Sequence, residues 1–148
     1  MTTMTPETIQ RIQTSWASVT PIADRAATLF YEHLFDLDPA LRSMFSKTDM
    51  AAQREKLLAA LSLVVTSLED LTAITPTLRA LGARHAGYGV TASHYDSVGT
   101  ALLRTLEQGL GDGFTPEVKA AWIEAYTTLA TVMQDAAAEV GEPAKATA

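Results

Sequence analysis

Three imidazoles, His33, His85 and His94, are the side chains of this sequence best suited to bind a metal or move a proton near neutral pH. His85 stands one helical turn beyond Leu81 and two beyond Leu78, so its ring lies on the apolar stripe of its segment. That placement leaves two readings open. The ring is a buried histidine bonded to a backbone carbonyl, or it is the axial ligand of an iron held in a flat apolar cofactor. In the second case the other ring nitrogen needs an acceptor, and the acceptor sets the basicity of the ligand. His33 follows Phe30 by three residues and is expected to be half-buried. His94 falls near a helix start and is expected to face solvent.

Other chemistries lack their residues. The chain has no cysteine, which removes disulfides, thiolate ligands and cysteine nucleophiles together. No H-E-x-x-H pairing points to a zinc hydrolase, and neither a phosphate-binding G-x-x-x-x-G-K-[ST] loop nor a G-x-S-x-G elbow occurs. Gly82, Gly87 and Gly89 follow no strand, so they do not read as a phosphate cradle.

The elements that must position His85 are marked by proline. Of six prolines, Pro6, Pro21, Pro76 and Pro116 follow threonine and Pro39 follows Asp38. A Thr or Asp cap with proline at the first helical position satisfies one orphan N–H and wastes none. Apolar residues then recur with the helical period. Ile9, Ile12, Trp16 and Val19 form the first stripe, and Ile22, Ala26, Leu29, Phe30 and Leu34 the second. A short segment from Pro39 holds Leu41, Met44 and Phe45, and a long one from about Met50 to Leu68 has a wide apolar face. The His85 segment starts at Pro76 and is broken by Gly87-Tyr88-Gly89. The next runs from about Ser93 to Leu110 and ends at Gly111-Asp112-Gly113. The last spans Pro116 to about Glu139. No segment alternates with a period of two. The class is all-α, six or seven helices in one domain over residues 1–140, with 141–148 expected as a frayed tail.

Composition sets the surroundings. A chain of 148 residues with 47% apolar residues is one domain able to fold without staples. A net charge of −6 disfavours nucleic acid and anionic membranes as partners, while leaving room for a local basic patch. The polar N-terminus has no secretory pattern, no apolar run is long enough to span a bilayer, and the absence of cysteine fits a cytoplasmic setting.

With Phe30-Tyr31-Glu32-His33-Leu34-Phe35, Pro39, Phe45, Gln53, His85, Tyr95, Trp122 and Tyr126 in this order and spacing, the chain resembles the single-domain bacterial haemoglobins of the Vitreoscilla type and the globin domain of flavohaemoglobins. The likeness runs from about Thr8 to Met133. It implies a globin fold around haem b, iron protoporphyrin IX. It implies His85 as the proximal iron ligand, with Leu81 beside it, Phe45 packed on the haem face, Val90 and Val98 in contact with the haem, and Tyr95 helping to fix His85. It implies Tyr31 and Gln53 as the distal pair donating to bound dioxygen, with Leu57 over the ligand site. A positioned O–H or amide N–H stabilises the charge that dioxygen takes on in a dry pocket. Without the resemblance, Tyr31 reads as a buried tyrosine bonded to backbone and Gln53 as a surface amide.

The chain departs from the family pattern at Ala137, where a glutamate often accepts from the proximal histidine. His85 is then expected to bond a backbone carbonyl and to be a more neutral ligand. The resemblance implies reversible dioxygen binding and nitric oxide dioxygenation, in which dioxygen and nitric oxide give nitrate, with electrons from a separate reductase. An oxygen carrier or store without turnover, a gas sensor, and a haem-free helical interaction module are the competing readings. Monomer and homodimer are equally open.

Overall fold

The computed structural model describes residues 4–87 and 90–147, with side chains described through residue 139. Tyr88 and Gly89, the centre of the expected break after His85, lie outside the described residues.

Seven α-helices follow one another among the described residues: α1 Pro6–Val19, α2 Ala23–Leu37, α3 Leu41–Met44, α4 Met50–Thr66, α5 Thr75–Gly87, α6 Ala92–Leu110 and α7 Pro116–Thr147. Single 3₁₀ turns at Thr20–Ile22, Leu71–Ile74 and Gly111–Gly113 join α1 to α2, α4 to α5 and α6 to α7.

Two of the five proline signals act as true caps. The Thr5 hydroxyl accepts from the Thr8 N–H ahead of α1, and the Thr115 hydroxyl accepts from the Val118 N–H at the start of α7. The other three are corrected. Thr20 and Pro21 form a 3₁₀ turn, and α2 begins at Ala23. Thr75 is itself helical, and its hydroxyl donates back to the Leu71 carbonyl. Asp38 takes an extended φ of −142°, and its backbone carbonyl accepts from the Leu41 N–H at 3.0 Å. In each case a preceding turn already satisfies the groups that a side-chain cap would have served. The α7 backbone also runs on to Thr147 rather than stopping near Glu139, past Gly141 and Pro143 and against their low helix propensity.

The core is built mainly by α1, α2, α6 and α7, with Leu41 of α3, Val64 and Val65 of α4 and Leu78 of α5 buried in the same cluster. The stripe Ile9, Ile12, Trp16 and Val19 is buried, and the Trp16 and Trp122 rings meet with centroids 6.1 Å apart. Trp122 Nε1 donates to the Ser15 hydroxyl at 2.9 Å, and that hydroxyl donates in turn to the Arg11 carbonyl at 2.7 Å. A buried indole N–H without such an acceptor would lose about 1–3 kcal/mol. Gln13 Nε2 donates to the Val65 carbonyl at 3.0 Å and ties α1 to the end of α4.

Two helix pairs position the residues of interest. α2 packs on α6, and α5 packs on α7. The α5–α7 approach is close because of Gly82: a Cβ there would overlap the Met133 carbonyl. Helices reach such separations only where a residue has no side chain to interpose.

Candidate functional site

Tyr31 sits on the buried face of α2 between Ala27 and Leu34, 6% exposed. Its ring meets Phe45 edge-on at 5.7 Å and Phe35 at 6.0 Å, and Phe35 and Phe45 are 5.6 Å apart. Phe35 was not expected at the site from the sequence. It stands one turn beyond Tyr31, and that spacing was the available signal.

Gln53 reaches this group because Asp49 fixes the start of α4. The Asp49 carboxylate accepts from the Ala51 and Ala52 N–H groups at 3.1 and 3.3 Å, and its carbonyl accepts from the Gln53 N–H at 2.9 Å. Gln53 Nε2 then donates to the Tyr31 hydroxyl at 3.2 Å. A phenol that accepts from an amide keeps its own proton for another acceptor. Burial pushes the Tyr31 hydroxyl pKa up, while the Gln53 bond and the Arg54 charge pull part of the way back. The phenol therefore stays neutral at physiological pH, and a neutral phenol is a donor.

His85 is half-buried in the last turn of α5. Its Nδ1 lies 2.7 Å from the Leu81 carbonyl oxygen. A carbonyl can only accept, so Nδ1 carries the proton and, in the neutral ring, Nε2 carries the lone pair that a metal takes. The Val90 N–H donates to the His85 carbonyl at 3.1 Å, which brings Val90 to the same end of α5.

Tyr95 is buried on α6 in a small cluster with Ala130 and Met133, against which Leu81 and Val90 pack. The Tyr126 hydroxyl donates to the Tyr95 carbonyl at 2.6 Å, and Gly99 makes room for the Tyr126 ring. Among the described residues the Tyr95 hydroxyl itself is buried without a hydrogen-bond partner. Burial pushes its pKa up. Position 137 on α7 is a half-buried alanine and offers no carboxylate.

His94 differs from the expectation that it faces solvent. Its Nδ1 accepts from the Thr91 N–H at 3.0 Å in a capping box at the start of α6, and its Nε2 lies 3.9 Å from an Asp38 carboxylate oxygen. A histidine three residues into a helix can fill the role usually taken by Glu or Gln. His33 is half-buried, its Nε2 2.6 Å from the Gln108 amide oxygen.

The predicted residues thus fall into two groups. Tyr31 touches both Phe45 and Gln53. Phe45, Leu57 and Val98 are half-buried and pack on the large cluster. Leu81 and Val90, also half-buried, pack on the small one beside Tyr95, with His85 one turn from Leu81. A continuous core would bury these apolar side chains fully. A flat apolar group bridging the two clusters would cover them. One cluster carries an imidazole, and the other carries two neutral hydrogen-bond donors. That donor set suits an iron porphyrin with an exchangeable small ligand, so the residues present fit a haem. Among the described residues no three His, Asp or Glu side chains gather to hold a free metal ion, and no helix is long and apolar enough to cross a membrane.

Comparison with known proteins gives a consistent picture. The family model described as Globin matches residues 28–133. The chain is 36% identical over 119 residues to the flavohemoprotein of Bacillus anthracis, a match covering 79% of this chain and 29% of that protein. It thus spans less than a third of such relatives. It is 31% identical over 126 residues to an anaerobic nitrite reductase of Oryza sativa subsp. indica, covering 82% of this chain and 87% of that one. Among solved structures, an engineered carbene transferase built on a Rhodothermus marinus protein assigned as a nitric oxide dioxygenase superposes with a TM-score of 0.86 at 27% identity. That superposition covers 97% of this chain and 99% of the other.

Proposed function

The chain belongs to the globin family, and from that premise we propose that it carries haem b, binds dioxygen reversibly and, supplied with electrons by a separate reductase, converts nitric oxide and dioxygen to nitrate. Haem, when bound, supplies a ferrous iron that takes up a diatomic gas and exchanges one electron. His85 holds it through Nε2. Phe45, Leu57, Leu81, Val90 and Val98 exclude water from its faces, and Tyr95 packs on the His85 side. Tyr31 and Gln53 present two neutral donors where negative charge develops on a polarised ligand, and the dry surroundings strengthen both. A cytoplasmic setting is part of the same proposal.

The observation that carries the reading is the His85 Nδ1 contact with the Leu81 carbonyl, which assigns the proton to Nδ1 and the lone pair to Nε2. The test is a Soret band after expression with haem supplied, and its loss in His85→Ala. A colourless protein that rejects haem would end the proposal.

The matched relatives differ in named activity, so the family alone does not choose the reaction. One observation favours a second reading, an oxygen carrier or store without turnover. His85 bonds a neutral carbonyl, and position 137 is an alanine that offers it no carboxylate. Strong electron push from the ligand is then missing. Nitric oxide consumption with dioxygen and a reductase present, at a rate no better than free haem, would decide for storage.

A further inference from the structure

We propose that the turn after α3 and the first half of α4 form a cationic docking surface for an acidic, electron-donating protein. This inference rests on the reading that the site holds haem. Residues 42–56 carry four of the eleven cations, Arg42, Lys47, Arg54 and Lys56, and two of the seventeen acids, Asp49 and Glu55. The segment is therefore net +2 in a chain of net −6.

Its cations stand at the distal group. The Arg42 guanidinium lies 5.2 Å from the centre of the Phe35 ring. Arg54 is close enough to Tyr31 for its charge to act on the phenol. Lys56 follows Gln53 by three residues, and Lys47 follows Phe45 by two. Arg42, Lys47 and Lys56 are exposed, and among the described residues none of the four forms an ion pair. The Asp49 carboxylate is committed to the start of α4, and Asp38 is turned to His94. With Asp49 and the exposed Glu55 both counted, the rim keeps its net charge of +2, and among the described residues its cations are unpaired.

An acidic chain that concentrates unpaired cations at one rim repels acidic proteins elsewhere and attracts them there. An electron donor must approach the edge of the redox group, and this rim adjoins the site's Tyr31, Phe45 and Gln53. Rim charges act mainly on the rate of encounter and are screened by salt. The partner chemistry is therefore an acidic one-electron carrier, and the fit is electrostatic.

The experiment uses the haem-loaded protein and reduced flavodoxin, an acidic one-electron donor, as probe. The second-order reduction rate should fall about tenfold from low salt to physiological salt and above. K47E/K56E should lower the low-salt rate by about tenfold and flatten its salt dependence, while K119E on α7 leaves both unchanged. Carbodiimide should cross-link Lys47 and Lys56 to flavodoxin carboxylates. An unchanged rate in K47E/K56E, or an equal fall in K119E, overturns the proposal. Loss of haem from K47E/K56E also overturns it, because the lysines would then serve the cofactor's own carboxylates. Should the wild type take up no haem, the functional reading fails by its spectrum. The cross-links then decide docking by themselves: their presence supports it and their absence overturns it.

Discussion

Gln53 donates to the hydroxyl of Tyr31, and not the reverse, across 3.2 Å between α4 and α2. The direction matters because it leaves the phenolic proton for a ligand. Tyr31→Phe should therefore speed dioxygen release by about tenfold or more, the worth of one buried donor of about 1–3 kcal/mol. Flash photolysis or stopped-flow measures this. An unchanged release rate would remove Tyr31 from the donor role and leave Gln53 as the distal contact.

Gly82 and Met133 set the distance between α5 and α7. Gly82→Ala would gain about 1 kcal/mol of helix propensity. It would lose more to overpacking, because the added methyl meets backbone that cannot rotate away. Overpacking costs about 1–3 kcal/mol, so a net loss of up to about 2 kcal/mol is expected, which lowers the melting temperature by a few degrees per kcal/mol. Since α5 carries His85, haem dissociation should quicken in the same variant. A melting temperature at or above wild type would show that the helices part without cost.

Tyr95 and Tyr126 should respond in opposite ways to loss of the hydroxyl. Tyr95→Phe removes a buried group without a partner among the described residues, so stability should hold or rise by about 1 kcal/mol. Tyr126→Phe removes the bond to the Tyr95 carbonyl, so stability should fall by about 1 kcal/mol. Urea unfolding of the two variants side by side reads the difference, and equal losses would contradict it.

Alkaline pH should destabilise the fold through the same residues. Tyr31, Tyr95 and Tyr126 all have pKa values raised by burial, Tyr126 most strongly. Their ordinary value is near 10. Above that value the unfolded chain loses phenolic protons that the folded chain keeps, so the unfolded state binds fewer protons and stability falls as pH rises. Below it these groups leave stability flat. Spectrophotometric titration should find three tyrosines ionising late, together with unfolding, and Tyr126→Phe should reduce the alkaline slope. Ionisation of all tyrosines near pH 10 in the folded protein would refute the burial argument.

Much of the architecture was legible because helix formation is written in local terms. The 3.6-residue spacing of Ile9, Ile12, Trp16 and Val19 marks the buried face of α1 without knowledge of its partner. Thr5-Pro6 and Thr115-Pro116 mark true starts for the same local reason. Thr20-Pro21, Asp38-Pro39 and Thr75-Pro76 misled because a preceding turn can satisfy the same N–H groups, and nothing local tells a capped start from a continued turn. His94 misled for a different reason, since Asp38, just past the end of α2, approaches it from a distant part of the chain.

By itself the sequence determined the all-helical class, most helix limits, and the presence of one histidine on an apolar stripe with a tyrosine and a glutamine far from it in the chain. Those properties depend on neighbours within one or two turns. Tertiary structure alone decided that Gln53 donates to Tyr31, that Phe35 joins Tyr31 and Phe45, and that the Tyr95 hydroxyl is buried without an acceptor among the described residues. Most of these depend on where α2, α4, α5, α6 and α7 come to rest against one another, and the rest depend on rotamer choice. Packing sets those relations, and one-dimensional periodicity does not record them.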